Sequence, residues 1–306
     1  MPAAVSIGLP TYNRGAQLDV AVASALAQTH ADLEVVISDN ASTDDTTARC
    51  AAWAAGDPRV RVIRHERNLG PTSNFNGLFA GLDGTFVLML ADDDHLDPDY
   101  VERCVAELER DPGLVAVAGT ARHVRDGVPV RDGRATQLSQ ATPSERVLAY
   151  FNHADDGPFY GVVRREALRR AAPMPNVLAN DWLHVGRLAA LGRIAMVETT
   201  HITRETGGTS ATIEGILKTF GSNTLGARAP HLVMAWNVLY DLRTAPAHAG
   251  HRSIAPRCAL GVVDWPSLAW HLTAPTMLGL ARRPRGRPLA RAYDRLTKAL
   301  GAGQQP

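Results

Sequence analysis

The chain is poor in cysteine. Its 306 residues contain three cysteines, Cys50, Cys104 and Cys258, which are widely spaced and odd in number. Such a set forms neither a disulfide framework nor a pair of zinc ligands, and it is typical of a protein in a reducing cytosol. Cys50 and Cys104 fall on the apolar faces of predicted helices, where we expect small buried residues.

The chain also has almost no net charge and no long apolar run. Its 32 Lys and Arg balance 31 Asp and Glu, so no overall field attracts nucleic acid, and nucleic acid is not expected as a partner. No stretch reaches the roughly 20 apolar residues of a transmembrane helix. Residues 1–4 lack the basic start of a signal peptide, and we therefore expect a cytoplasmic protein.

The sequence does contain a regular alternation of predicted strands and helices. Apolar runs predict strands at residues 5–9, 33–37, 60–63, 86–90, 114–119 and 194–197. Apolar residues at helical spacing separate most of them. This pattern predicts an α/β, Rossmann-like fold with a mostly parallel central sheet and helices on both faces. Residues 123–127 are predicted as a hairpin turn, and the pattern beyond residue 213 is mainly helical.

Polar clusters follow three of the predicted strands, at residues 10–14, 39–43 and 92–94. Ligands of parallel α/β sheets bind beyond the carboxyl ends of the strands, so the three clusters predict one binding site. Asp92, Asp93 and Asp94 form the third cluster, and adjacent carboxylates raise one another's pKa. A hard cation such as Mg²⁺ or Mn²⁺ would neutralise them. The alternative is a solvated acidic loop.

Four segments resemble, in order, the successive motifs of family 2 glycosyltransferases with the GT-A fold. They are Val5–Arg14, Val36–Thr47, Arg67–Asn76 and Ala91–Tyr100, and the resemblance extends over residues 5–212. It implies a GT-A domain at 1–212, with a nucleotide-sugar half to about residue 120 and an acceptor half at about 121–212. A helical C-terminal extension at 213–306 would follow. It also implies an inverting enzyme that moves one sugar from a nucleotide-diphospho-sugar to the hydroxyl of a glycan, lipid-linked sugar or small molecule.

The resemblance assigns the donor site to residues of these motifs. They are Pro10, Thr11, Tyr12, Arg14, Asp39, Asn40, Asn68, Gly70, Asn76, Asp92, Asp93 and Arg204. It implies that Tyr12 lies against the base and that Asp39 accepts the N3–H of uracil or thymine, which favours UDP- or dTDP-sugars. Two purely structural alternatives stay open. Asp39 also suits the role of a side chain that caps a turn, and Gly70 also suits a turn that has no contact with a ligand.

The aspartate cluster corresponds to the DXD-type motif, whose last carboxylate holds a divalent metal, Mn²⁺ or Mg²⁺. Two registers stay open. Counting back from Pro98 places Asp93 on the metal and Asp92 on the ribose, whereas Asp92-x-Asp94 places Asp94 on the metal. Asp181 matches the general base that takes the proton from the acceptor hydroxyl, and its alternative role is the N-cap of a predicted helix.

The chain departs from the family pattern at Thr206, where many relatives carry a histidine of the metal or diphosphate site. A degenerate member that binds nucleotide or a partner without catalysis is therefore the alternative function. Other enzyme classes fit less well, since the first loop lacks the Gly- and Arg/Lys-rich pattern of a pyrophosphorylase and the G-x-G-x-x-G of a dehydrogenase. The Gln-x-x-Arg-Trp motif of processive synthases is also missing, which favours transfer of one sugar per encounter.

The C-terminal tail is strongly basic, with six arginines and one lysine between Arg282 and Lys298. Two interpretations stay open. The tail either contacts an anionic membrane surface, which would place the protein peripherally at the membrane, or forms a solvated helix face. A homodimer formed through the C-terminal extension is a further hypothesis.

Overall fold

Four apolar strands near the start of the chain form the parallel half of a nine-stranded sheet in the computed structural model, which describes residues 3–152, 157–206 and 230–263. They are β1 (Val5–Thr11), β2 (Leu33–Asp39), β3 (Val60–Arg64) and β4 (Phe86–Met89). Their order is β3-β2-β1-β4, and all three pairings are parallel. Every residue of β1 and β4 is buried, as expected for strands that are covered on both faces.

The second half of the sheet is mixed. It contains β5 (His95–Leu96), β6 (Leu114–Arg125), β7 (Val128–Asp132), β8 (Val162–Arg164) and β9 (Arg193–Glu205). The order continues β4-β8-β6-β9-β5, with β7 on β6. β8 is antiparallel to both β4 and β6, whereas β9 is parallel to β6. The predicted parallel arrangement therefore holds for β1–β4, and the predicted hairpin joins β6 to β7 through Asp126 and Gly127.

Helices cover both faces of the sheet, as predicted. The first half contributes α1 (Gly15–Leu26), α2 (Thr46–Gly56), α3 (Pro71–Gly81) and α4 (Tyr100–Arg110). The second half contributes α5 (Pro143–Asn152), α6 (Arg165–Ala171), α7 (Asn180–Leu191), α8 (Pro230–Thr244) and α9 (Ala255–Val263). One apolar core packs α1, α2 and α4 against the sheet, and a second core contains α3 and α5–α9.

The described part of the C-terminal extension is helical and shares the second core. Val238 of α8 and Cys258 of α9 are fully buried in the same cluster as Leu78 of α3 and Val185 of α7. The predicted boundary near residue 212 and the basic tail lie outside the described residues. Among the helices at 3–152, 157–206 and 230–263, none has both the length and the apolar character of a membrane span.

All three cysteines are buried and free, as expected for Cys50 and Cys104. Burial raises the pKa of the Cys50 and Cys258 thiols to about 12. A thiol with so high a pKa carries almost no thiolate at neutral pH and is a poor nucleophile. The cysteines are therefore packing residues.

Candidate functional site

A cleft of about 310 Å³ lies at the carboxyl ends of β1, β2 and β4, the edge of the sheet at which the sequence predicts a site. Its walls are Pro10, Thr11, Tyr12, Arg14, Asn40, Asn68, Pro71, Asn74, Phe75, Ala91 and Asp92. Seven of the twelve predicted donor-site residues are in this set. The structure thus brings together residues of all four motif segments, which are well separated in the sequence.

The end of β1 meets the aspartate cluster in a set of charged contacts. The Thr11 hydroxyl donates to Asp92 Oδ2 at 2.8 Å, and Arg14 Nη1 lies 3.3 Å from Asp92 Oδ1. The same guanidinium nitrogen pairs with Asp93. Tyr12 lies between Thr11 and Arg14 in the chain, and 41% of its surface is exposed. The floor of the cleft is therefore polar, and one aromatic side chain is open to solvent.

Asn40 joins the end of β2 to the loop before α3. Its Nδ2 donates to Asn68 Oδ1 at 3.0 Å and to the Gly70 carbonyl at 3.3 Å, and its Oδ1 accepts the Leu69 N–H at 2.9 Å. Gly70 has φ +80°, a conformation that L-residues adopt only with strain. Gly70 itself does not line the cleft, and its observed role is to turn the chain.

Asp39 is fully buried beneath this edge of the sheet. Its Oδ1 accepts the Ser42 N–H at 2.9 Å, and its Oδ2 accepts the Thr47 hydroxyl at 2.8 Å. These bonds are those of a turn cap, the structural alternative that the sequence left open for Asp39. Asp39 does not line the cleft, and its recognition of a base stays a prediction.

The structure brings Asn74 to the cleft and turns Asn76 away from it. Asn76 binds the backbone of Met174, to which Nδ2 donates at 2.9 Å and from which Oδ1 accepts at 2.8 Å. Asn74 Nδ2 donates to the Ser38 carbonyl at 3.0 Å, and Asn74 Oδ1 accepts the Ser38 hydroxyl. The predicted donor contact of Asn76 is therefore replaced here by a contact with the loop before α7.

Two of the three aspartates, Asp92 and Asp93, pair with Arg14, whereas Asp94 pairs with Arg204. Asp94 Oδ2 pairs with Arg204 Nε and Asp94 Oδ1 accepts the Glu205 N–H, both at 3.2 Å. Its side chain is 3% exposed, against 18% for Asp93. Burial raises the pKa of Asp92 to about 6 and that of Asp94 to about 7, although the nearby arginines oppose the shift. For Asp92 and Asp94, burial therefore outweighs the attraction of the nearby Arg14 and Arg204.

A divalent cation fits this cluster chemically. Within the described parts of the chain, no group of three or more His, Cys, Asp or Glu side chains is arranged to hold a metal. Mg²⁺ and Mn²⁺ do not require such a group when one or two carboxylates act together with the oxygens of a diphosphate. A cation beside Asp93 would favour the ionised forms of Asp92 and Asp94, which burial disfavours. Oxygen donors, partial exposure and raised pKa values therefore agree with the predicted metal.

Arg204 lies beside the cluster but not in the wall of the cleft. Its guanidinium lies 4.2 Å from the centre of the Tyr160 ring, and Nη2 donates to Tyr160 Oη at 3.2 Å. With the Asp94 contact, Arg204 joins β9 to the cluster and to the turn before β8. Tyr160 belongs to no sequence motif and meets Arg204 only through the fold, so no sequence pattern predicts its place here.

Asp181 lies in the first turn of α7 and is partly buried. Its Oδ1 accepts the Trp182 N–H at 2.9 Å. The N-cap position belongs to Ala179, so the alternative that Asp181 is the N-cap residue is wrong. A carboxylate in the first turn still gains from the helix dipole. Asp181 does not line the 310 Å³ cleft, and its role as a base stays a prediction.

Comparisons with known proteins agree with this architecture. The model of the family described as glycosyl transferase family 2 matches residues 6–171. The Escherichia coli chondroitin synthase is 40% identical over 130 residues, which cover 42% of this chain and 19% of the relative. The chain therefore spans less than a fifth of the length of this relative.

Two solved structures show the same fold. S. aureus TarS 1–349 in complex with UDP-GlcNAc matches with a TM-score of 0.65 and 18% identity, over 93% of this chain and 77% of that one. The Pyrobaculum calidifontis mannosyltransferase in complex with GDP-Man and Mn²⁺ matches with a TM-score of 0.51 and 18% identity, over 96% and 85%. At this identity the likeness concerns the fold alone, and it confirms the predicted GT-A class. Because the family model covers more than half of the sequence, the chain belongs to glycosyltransferase family 2.

Proposed function

We propose that this protein is an inverting, metal-dependent glycosyltransferase that moves one sugar from a UDP- or dTDP-sugar to an acceptor hydroxyl. The observation that carries the proposal is the cleft at the carboxyl ends of β1, β2 and β4, in a chain that belongs to family 2. Its polar walls and single exposed aromatic ring suit a nucleotide, which offers a flat base and hydroxyl groups.

In this proposal the donor occupies the cleft through three kinds of contact. The exposed ring of Tyr12 stacks on the base. Asn40 and Asn68, whose amides meet at 3.0 Å, face the ribose together with Asp92. Arg14 supplies positive charge on the diphosphate side. The complex of TarS with UDP-GlcNAc supports a sugar nucleotide as the class of donor.

Of the two registers for the metal, we favour Asp93. Its carboxylate is more exposed than that of Asp94, which Arg204 and the Glu205 N–H hold on the far side of the cluster. The Mn²⁺ complex of the mannosyltransferase supports a divalent cation. When bound, such a cation neutralises charge on the departing diphosphate. In this register Asp94 does not bind the metal, and its role is to position Arg204.

Asp181 acts in this proposal as the general base. Its carboxylate accepts the proton of the acceptor hydroxyl while that oxygen forms a bond to the anomeric carbon from the face opposite the diphosphate. The bond between the anomeric carbon and the diphosphate oxygen breaks, and the nucleoside diphosphate leaves with the bonding electrons. One displacement inverts the anomeric centre, so no covalent intermediate is needed.

A ligand panel tests the donor class. Thermal unfolding is measured with UDP, dTDP, GDP and CMP, each with and without Mn²⁺, and UDP release is measured from UDP-sugars with water and candidate glycans as acceptors. A nucleotide at about 100 times its Kd stabilises the fold by about 2.7 kcal/mol. We expect a Mn²⁺-dependent shift with UDP or dTDP alone. Binding without any sugar transfer would favour the degenerate, non-catalytic alternative, and no shift at all would refute the nucleotide site.

We also propose that the protein is cytoplasmic and contacts an anionic membrane surface through its C-terminal part. Leu232, Trp236 and Tyr240 recur every four residues on one face of α8, and the two aromatic rings are 64% and 61% exposed. Such rings favour the headgroup level of a bilayer. Residues 230–306 carry ten Arg and Lys against three Asp, a formal charge of +7 in a chain whose total is +1.

Sedimentation with lipid vesicles tests this contact. We expect binding to vesicles of phosphatidylcholine with phosphatidylglycerol, little binding to phosphatidylcholine alone, and loss of binding in the Trp236→Ser/Tyr240→Ser variant and at high salt. Analytical ultracentrifugation of the same variant tests the other predicted occupant of this face, a second copy of the chain. A dimer that the variant disrupts, without vesicle binding, would replace the membrane by a homodimer.

A further inference from the structure

The loop between α6 and α7, residues 172–179, is held by side chains of α3. Asn76 makes two hydrogen bonds to the backbone of Met174, one to its N–H at 2.8 Å and one to its carbonyl at 2.9 Å. An amide side chain that satisfies both groups of one residue acts as a local substitute for a strand partner. α3 therefore fixes the middle of a loop that lies about 100 residues further along the chain.

Thr72 holds the end of the same loop. Its hydroxyl donates to Asn176 Oδ1 at 2.9 Å and accepts from Asn180 Nδ2 at 3.1 Å. Thr72 and Asn76 are four residues apart and thus lie on one face of α3. Asn180 is the first residue of α7, and its Oδ1 accepts the N–H of Asp181 at 2.9 Å. A single buried hydroxyl thus connects α3 to the residue next to the proposed base.

The loop requires such support because its last residue has an unfavourable backbone. Ala179 has φ +64° and ψ +32°, a left-handed conformation that costs a non-glycine residue about 1 kcal/mol or more. Such a conformation persists only when its surroundings determine it. Asn237 of α8 contributes from the other side, donating to the Leu178 carbonyl at 3.1 Å.

The same short helix also forms a wall of the donor cleft. Pro71, Asn74 and Phe75 of α3 line the cleft, whereas Thr72 and Asn76 face the loop before α7. α3 is thus the one described helix whose residues appear both in the cleft wall and in the bonds to this loop. A rigid helix of three turns fixes the relative position of these two parts.

We propose that Thr72 and Asn76 are positioning residues that set Asp181 against the donor in the cleft. The proposal rests on the proposed function, because it assigns to α3 the alignment of the base with the sugar nucleotide. Neither side chain touches the reacting atoms. Their bonds hold the α6–α7 loop and the first turn of α7, so their loss lets the Asp181 carboxylate move while the cleft keeps its shape.

A matched pair of variants tests the hydroxyl of Thr72. Thr72→Val removes the hydroxyl at nearly constant volume, and Thr72→Ser keeps it. With the UDP-sugar that the donor panel identifies, we expect Thr72→Val to lower kcat about 10- to 100-fold, since small displacements of a catalytic group have effects of this size. UDP affinity should stay within about twofold, because the cleft contacts remain. Thr72→Ser should restore kcat. Loss of UDP affinity equal to the loss of kcat, or no rescue by serine, would overturn the proposal.

The dependence on Asp181 is tested by combining variants. In an Asp181→Asn background, measured with radiolabelled donor and long incubation, Thr72→Val should lower the residual rate no further than about twofold. An equal loss in both backgrounds would show that Thr72 acts by another route. If Asp181→Asn alone keeps the full rate, the proposed base is wrong, and that result is separate from the outcome for Thr72.

Hydrogen exchange tests the anchoring without any enzyme activity. Thr72→Val and Asn76→Leu should each accelerate exchange of the amides at residues 174–183 and leave those at 7–11 of β1 unchanged. Unchanged exchange at 174–183 in both folded variants would mean that α3 does not hold the loop, and the proposal would fail whether or not the protein transfers sugar.

Discussion

Arg187 of α7 binds both carboxylate oxygens of Asp241 of α8, through Nε at 3.1 Å and Nη2 at 2.5 Å. The same guanidinium donates from Nη1 to the carbonyls of Ala171 and Pro173 at 2.8 and 2.6 Å. Both charged side chains are almost completely buried. One residue therefore ties together α7, α8 and the start of the α6–α7 loop, six residues after Asp181 on the same helix.

Asp241→Ala should be strongly destabilising, because it leaves the buried guanidinium of Arg187 without its carboxylate. We expect a loss of about 3 kcal/mol in the free energy of unfolding, the usual cost of removing one partner of a buried ion pair. Asp83→Ala is the control, since Asp83 pairs with Arg165 and Arg169 at the surface and should lose less than about 1 kcal/mol. Urea titration measures both variants. Similar losses of unfolding free energy in the two variants would mean that the buried ion pair stabilises the fold no more than the surface pair does.

Asp181→Asn should lose almost all transfer activity while donor binding persists. The amide cannot accept the hydroxyl proton, and loss of a general base lowers kcat by about 10² to 10⁴-fold. The affinity for UDP with Mn²⁺, measured by calorimetry, should remain unchanged. Asp181→Glu is the matched control and should retain part of the rate. Transfer at the wild-type rate by Asp181→Asn would mean that another group removes the proton.

Asp93→Ala should remove the Mn²⁺ dependence of UDP binding, because it deletes the accessible carboxylate of the cluster. Asp94→Asn should instead keep a Mn²⁺ response and lower the stability, since it weakens the bonds to Arg204 and the Glu205 N–H. Calorimetric titration of UDP with and without Mn²⁺ measures the first effect, and thermal unfolding measures the second. Asp32→Ala at an exposed position is the control. The reverse result would place the metal on Asp94, the other register of the motif.

Acid should destabilise the fold through His184. This imidazole is buried on α7, stacked on Phe79 with ring centres 4.9 Å apart. Burial, aided by the charge of Arg187, lowers the pKa of His184 to about 3, whereas Asp241 opposes the shift. The unfolded chain binds a proton below about pH 6.5 and the folded chain does not. The contribution of His184 to stability is therefore intact well above pH 6.5. It falls by up to about 1.4 kcal/mol per pH unit below pH 6.5 and levels off near pH 3.

A variant without the titrating ring isolates this effect. In His184→Phe, the free energy of unfolding should fall less steeply than in the wild type between pH 6.5 and 5, and the two curves should diverge by about 2 kcal/mol. Urea titrations at each pH supply the curves. Parallel curves for the two proteins would show that His184 does not contribute to acid sensitivity.

Sequence patterns predicted the parallel half of the sheet because each of its strands is a short, mainly apolar run. The runs at 5–9, 33–37, 60–63 and 86–90 became β1–β4, and the polar residues after three of them meet in the cleft. The location of the cleft was predictable, because parallel strands that end at one edge of a sheet bring the residues that follow them together. The motifs, not the spacing, then identified the family.

The short strands and the long-range side-chain contacts could not be predicted from hydrophobic patterns. β5 has two residues and β8 has three, too few for any periodicity to register. Both short strands contribute to the mixed sheet, since β8 is antiparallel to β4 and β6, and β5 is antiparallel to β9. Long-range contacts were also hidden: Thr72 and Asn176 are separated by 104 residues, and Tyr160 and Arg204 by 44. Which of Asn74 and Asn76 faces the cleft depends on how α3 packs, and the sequence offers no rule for that.

The two apolar cores on opposite faces of the sheet are completed at different points of the chain. The core around α1, α2 and α4 has all of its described members by Ile202, whereas the core around α3 and α7 still requires Val238, Leu242, Ala255 and Val262. During synthesis on the ribosome, one side of the sheet is therefore covered about 60 residues before the other. A chain that is cut after residue 206 would present the surfaces of α5 and α7 uncovered, and such a fragment should bind chaperones or aggregate.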